Sequence, residues 1–248
     1  MKKPTGWTYL ILAMLAFAGR RFDAVLVSNL ESMVYHAPME SWTDLQRIAR
    51  WVISSAVLGL LSFGIIRFAR KQYGFDLFEK KDKPTAWQWA VVAVLLLASL
   101  LYSLGNGLPV VYRFYAYGPV KYIFLNICIC FEVALVLLII VFGQEAFEKW
   151  FHGRPVPFEG FLISAIGQNA FDKWFHARYF PFGGVLAAVT WVLTRFFTWY
   201  TLMGTMKTMD IWTMIFALTY VGYGCVYLLV NRDIRRAYPI IWLMFVLL

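Results

Sequence analysis

"VALVLLIIVFGQEAFEKWFHG", residues 133–153, opens with ten consecutive apolar residues and runs without interruption into a polar block. Ten apolar residues in a row leave no polar face, so this segment belongs either inside a protein or inside a bilayer. The apolar character extends back to about Val120, and a run of roughly 20 such residues is what a helix needs to cross a membrane. Similar runs recur along the chain. They predict membrane helices at about Trp7–Tyr35, Leu45–Ala69, Thr85–Leu104, Val120–Phe142, Gly183–Met206 and Ile211–Val230, with a short final run in "AYPIIWLMFVLL". The expected fold is therefore all-α: one polytopic transmembrane bundle of about seven to eight helices spanning residues 1–248, with N-terminal helices in 1–119 and a core in 120–248. The short alternating segments of a membrane β-barrel are absent.

Composition agrees. The chain is 61% hydrophobic and 15% charged, with a mean hydropathy of +0.63, whereas a soluble domain carries about a quarter of its residues charged. The net charge of +9 does not point to nucleic acid, because the basic residues cap apolar runs instead of forming a stripe with aromatics. The loop "RFARKQYGFDLFEKKDKP" holds six Lys or Arg between Arg67 and Lys83. It marks the cytoplasmic side, with "NRDIRR" (231–236) as a second such loop. That orientation puts the N-terminus inside, and the apolar start of the chain reads as a retained first helix. The bilayer is the first partner this implies. Cys128, Cys130 and Cys225 lie in apolar runs and read as small core residues. Arg20, Arg21, Asp23 and Glu31 are too costly to face lipid, so the second half of the first helix must turn inward or lie at the interface. Glu132, near the middle of the fourth span, is a functional candidate on the same ground. The competing reading is a protonated carboxyl bonded to Asn126 or to a neighbouring helix. Arg113 and Lys121 are assigned to a loop before that span.

The polar block is repeated. "GQEAFEKWFHGRPVPFEG" (143–160) returns as "GQNAFDKWFHARYFPFGG" (167–184), identical at 12 of 18 positions. Two copies do not make a solenoid, so a local tandem duplication is the simplest origin. On a helix Glu145, Lys149 and His152 share one face, while Phe147, Trp150 and Phe151 form an aromatic face suited to headgroup depth. Pro and Gly then end each copy. The second copy carries Asn169 in place of Glu145, and an amide can hydrogen-bond but cannot act as a general base. If the segment 161–178 crossed the membrane fully, the 231–236 loop would lie outside; the charge bias therefore predicts that it does not cross.

From these residues a resemblance follows. "GQEAFEK" resembles the EExxxR motif of the CAAX-protease and bacteriocin-processing (CPBP/Abi) family of intramembrane metalloproteases, and "PFGGVLAAVTWVLTRFFT" resembles that family's following helix. The similarity covers roughly residues 120–248. It implies that Gln144 and Glu145 stand at the two Glu positions, Lys149 at the Arg, and Trp191 at the aromatic, with Arg195 where the family has His. In the family, Glu and His activate a water, with a metal proposed. Here Arg195 neither ligates a metal nor takes a proton, so a structural Glu145–Arg195 ion pair is expected in place of the ligand site.

His36, His152 and His176 are the histidines of the chain. Zinc would suit His152, His176 and Glu145, but Glu145 and His152 are about 10 Å apart along a helix axis, too far for one tetrahedral ion. No cofactor is required by this pattern, and the imidazoles read better as interfacial anchors. Three functions remain in view: a divergent endopeptidase with weak or lost activity, carried by Glu145 and Lys149; a non-enzymatic binding or immunity-type protein holding a partner helix, a membrane-embedded peptide or a lipid in a bacterial cytoplasmic membrane; and, last, a small-solute transporter.

Overall fold

The computed structural model describes residues 3–35, 41–151, 180–203 and 211–247. These form seven helices and, among the described residues, no strand: α1 (Gly6–Tyr35), α2 (Asp44–Tyr73), α3 (Ala86–Gly105), α4 (Pro109–Phe151), α5 (Phe182–Met203), α6 (Ile211–Leu229) and α7 (Ile234–Leu247). Three of them, α2, α3 and α4, are long and apolar enough to cross a membrane. The regions Phe182–Thr194 and Met214–Leu229 are shorter apolar stretches.

The helices begin where local chemistry supplies their missing acceptors. Thr43 caps α2 and Thr85 caps α3, each in a capping box with the Gln three residues on, so two orphan backbone N–H groups are satisfied at each start. Gly74 ends α2 at φ 67°, a left-handed conformation that costs glycine little. α3 stops at "GNGLP", as its sequence predicts, and the chain reverses through Gly107 and Leu108, both at positive φ.

α4 departs from expectation at its start. It begins at Pro109, eleven residues before the apolar run that starts at Val120, and is broken at Gly118 (φ 71°, ψ 167°) just ahead of Pro119. The Gly-Pro pair reads as a loop, but residues 109–117 are rich in helix-compatible aromatics behind a proline at the first helical position, where its missing N–H is harmless. Arg113 and Lys121 thus sit on helices, and Lys121 Nζ donates to Asp44 Oδ1 at 2.7 Å.

α4 is the axis of the bundle, with α1, α2, α5, α6 and α7 packed on it. Val133 and every residue from Leu135 to Phe142 are at most 1% exposed, the burial that an all-round apolar helix requires. α5 approaches α4 through Gly183, where a Cβ would stand 1.9 Å from the Ile140 carbonyl oxygen. α5 meets α6 through Gly184 against Gly224, whose backbones leave no room for a Cβ on either. Small residues at such crossings let membrane helices close to backbone contact. The Gly pair of "PFGG" therefore sits inside the first turn of α5 as a packing surface, and does not end a helix.

Long-range bonds fix which helix ends lie together. The Gln88 Nε2 group donates to Asn231 Oδ1 at 2.7 Å, and Arg236 donates to the Asp82 carbonyl at 2.8 Å. Trp7 packs edge-on against Trp150 at 4.9 Å between ring centroids. The start of α1, the 74–85 loop, the end of α4 and the 231–233 turn therefore share one end of the bundle, the basic end. The two flanks of residues 152–179 also meet there, because Phe182 stacks on Phe147 with centroids 4.8 Å apart. That segment, on which the expected non-crossing stretch 161–178 falls, lies outside the described residues.

Candidate functional site

Two groups of charged side chains sit inside this bundle, one at the basic end and one deeper. The first is built from the polar block. Gln144, at i, and Glu148, at i+4, project from the same face of α4. The Gln144 amide is fully engaged: its Oε1 accepts from the Gly183 N–H at 3.1 Å, and its Nε2 donates to Glu148 Oε1 at 2.8 Å and to the Phe180 carbonyl at 3.1 Å. Glu148 in turn takes a two-point grip from Arg232, at 2.8 and 2.6 Å. Such fork-to-carboxylate pairing combines strength with fixed geometry. Arg232 is presented by the turn after α6, where Asn231 and Arg232 both adopt positive φ. Next to it Asp233 is buried and accepts from the Arg235 N–H at 3.0 Å through Oδ1. The Asn231 amide reaches back to the Lys83 carbonyl at 3.2 Å. The block thus works as a clamp joining α4, the start of α5 and the α6–α7 turn.

This alters the sequence reading of the block. Glu145 is half-buried and has no hydrogen bond or ion pair with a described residue, and Lys149 is exposed. The aromatic face packs on protein, since Phe147 and Phe151 stack on Phe182 and Trp150 meets Trp7 edge-on. Glu148 and Arg232 were not singled out by the motif. A signal for Glu148 existed, because the two copies share an acid there (Glu148, Asp172) and a Gln four residues earlier (Gln144, Gln168), whereas Glu145 has no acidic counterpart. His152 and His176 lie outside the described residues. Among the described residues, no three His, Cys, Asp or Glu side chains gather as metal ligands would.

The Arg195 side chain is also outside the described residues, so its pairing with Glu145 is not on view. Its backbone is twelve residues beyond Gly183, about 18 Å along α5, while Glu145 neighbours Gly183 through Gln144. The helix thus carries Arg195 toward the level of Glu132 and away from that of Glu145.

Glu132 marks the second group. Arg20 of α1 pairs with Glu132 Oε1, its Nε at 3.0 Å and its terminal nitrogen closer still. The guanidinium lies over the Trp191 ring, 5.5 Å from its centroid, within the range where an aromatic face attracts a cation. Trp191 stacks on Tyr220 of α6 at 5.5 Å, and Tyr220 is a further side-chain partner of Arg20. The pair therefore ties α1, α4, α5 and α6 together at mid-bundle. Glu132 thus bonds a neighbouring helix, as one of its two expected alternatives has it, and not Asn126, whose amide donates instead to the Tyr122 carbonyl at 2.8 Å.

Beside this pair opens a cavity of about 510 Å³ between α1, α2, α4 and α5. Arg20, Arg21, Asp23, Arg50, Cys128 and Glu132 are among its lining residues. Among the described lining residues, three guanidiniums and two carboxylates meet here. Asp23 bonds Ser54, while its Oδ1 is buried without a partner among the described residues. Arg50 packs its guanidinium on Trp42 at 5.8 Å. The cavity lies in the half of the bundle away from the basic end: Arg50 is six residues into α2, which starts at the opposite end, and Arg20 is about 21 Å along α1 from Gly6. Arg20, Arg21 and Asp23, whose charges predict that this part of the first helix turns inward or lies at the interface, line this cavity; the Glu31 side chain lies outside the described residues.

Fold and site together define an α-helical protein with membrane-compatible spans and a charged cavity enclosed by its helices. Comparison with protein-family models, with curated proteins and with solved structures finds no match for the chain.

Proposed function

We propose that the chain is a non-enzymatic membrane-embedded binding protein, and that it receives an anionic group, a carboxylate or phosphate, in the cavity beside Arg20 and Glu132. The observation that carries this reading is the cavity's charge: three arginines and two carboxylates around about 510 Å³. Ionisable groups at such depth are expensive, and they persist mainly where they serve a ligand or a pathway. Among the described lining residues the Arg20–Glu132 pair sets one guanidinium against one carboxylate, and Arg21, Arg50 and Asp23 complete the charged wall. With the basic end inside, as the positive-inside bias directs, the cavity belongs to the outer half of the membrane and takes its ligand from that side.

The endopeptidase reading, derived from the resemblance to the CPBP/Abi family, places catalysis on Glu145 and Lys149. The bonding at the basic end favours a structural role for this block, because Gln144 and Glu148 spend their polar atoms on helix-to-helix contacts. A general base alone contributes about 10²–10⁴-fold, little against what peptide hydrolysis demands.

Cys128 is a built-in reporter for the binding reading. In a Cys130→Ala/Cys225→Ala background, the single remaining thiol lines the cavity. Anionic and cationic methanethiosulfonates of similar size are applied to the protein in sealed vesicles. Faster modification by the anion is expected, and an equal or reversed preference would remove the proposal. Cleavage of a membrane peptide that disappears on Glu145→Gln would restore the endopeptidase reading.

A further inference from the structure

We infer that the groove between α2 and α7 is a binding site for one anionic phospholipid. The groove is a cavity of about 680 Å³, separate from the charged one and nearer the basic end. Its floor is α4, at Phe131, Ala134 and Leu138, and its walls are α2 and α7, with the 75–78 segment across the basic end. The lining divides by chemistry. Along α2 it runs from Gly59 to Arg70, eleven residues or about 16 Å, apolar for most of that length and then basic.

At the basic rim stand Arg67, Arg70 and Arg235 with the single carboxylate of Asp76. Asp76 is turned to its own loop, where Oδ1 accepts from the Phe78 N–H at 3.1 Å. Arg235 spends one terminal nitrogen on the Phe78 carbonyl at 2.7 Å, which holds its guanidinium at the rim. Arg67 and Arg70 are exposed and bond no described residue. Guanidiniums present their donors in a fork that matches phosphate oxygens, and basic pockets between membrane helices on the cytoplasmic side are suited to anionic headgroups.

The apolar part identifies the source of the ligand. Phe63 is 61% exposed and Phe131 36% exposed at the groove. Aromatic rings open to this degree at membrane depth face hydrocarbon, so the groove admits an acyl chain sideways from the bilayer. A lipid with its phosphate at the arginines and one chain over Phe131 and Ala134 satisfies both halves of the lining; a soluble phosphate satisfies one.

The test uses the full chain purified in neutral detergent. Phosphatidylglycerol and phosphatidylcholine with identical acyl chains are titrated separately, and bound lipid is counted by native mass spectrometry. The wild type is expected to retain phosphatidylglycerol roughly tenfold better, as favourable contact with two arginines allows. The Arg67→Gln/Arg70→Gln variant should hold the two lipids equally. Ala134→Phe, which fills the groove, should weaken both, and inorganic phosphate should displace neither. Because Arg67 and Arg70 are exposed, their replacement leaves the fold intact, and the arginine arm decides the matter even if Ala134→Phe fails to fold. Equal retention by the wild type, an unchanged preference in the double variant, or displacement by inorganic phosphate would each overturn the inference.

Discussion

The clamp at the basic end and the cavity at mid-bundle are each organised by an arginine–carboxylate pair, yet they are built for opposite purposes. Arg232 grips Glu148 at two points, and the carboxylate is further tied to Gln144, whose remaining polar atoms reach the start of α5. Arg20 grips Glu132 through one oxygen, and beside it lies a charged cavity in which Asp23 keeps an acceptor in reserve. A satisfied pair joins elements; a pair facing open space with surplus charge leaves something for a ligand to complete. Burial does not separate the two cases, since both pairs are partly buried. The completeness of the bonding around each pair does.

If that contrast is right, the clamp is where truncation should hurt most. Glu148→Ala leaves Arg232 without its carboxylate in a packed site, and loss of about 3 kcal/mol or more is expected, measured by denaturant titration in mixed micelles. Glu148→Ala/Arg232→Met should recover part of it; no recovery would mean that the pair is not the unit. Next comes Gly183→Ala, whose methyl meets the Ile140 carbonyl and forces α4 and α5 apart, at about 1–3 kcal/mol by the same assay. Glu132→Gln should cost less than Glu148→Ala, about 1 kcal/mol, because water or ligand entering the cavity can solvate Arg20. A larger loss there than at Glu148 would erase the distinction between the two regions. Glu145→Gln should stay within about 0.5 kcal/mol, as expected of a side chain outside any bonded network.

The helices themselves were legible because apolar runs act locally. What escaped was either non-local or masked by a local cue. Arg20 and Glu132 are 112 residues apart, and nothing in a single sequence pairs them, although each announces itself as a charge in an apolar run. The expected span starts only near Val120, where the apolar run begins, whereas the helix starts at Pro109 and resumes directly across the break at Gly118. In the repeat, the copies differ at Glu145 against Asn169. The bonds run instead through Gln144 and Glu148, where the copies agree in chemistry. Helix spacing alone could not choose between the Glu145–Lys149 face and the Gln144–Glu148 face, because both are i, i+4 pairs. The choice is made by Gly183, whose missing side chain lets α5 close on the second of them.

The account turns on the cavity offering net positive charge to an incoming group. Its most direct test is the rate at which an anionic thiol reagent modifies Cys128 in the Cys130→Ala/Cys225→Ala background, compared with the same protein carrying Arg50→Gln. Because losing a nearby cation also makes the thiol less reactive towards every reagent, the readout is the ratio of the anionic reagent's rate to that of a neutral analogue, and removing one of the three lining guanidiniums should lower it roughly fivefold, as expected for one charge at cavity range. An unaltered ratio would contradict it.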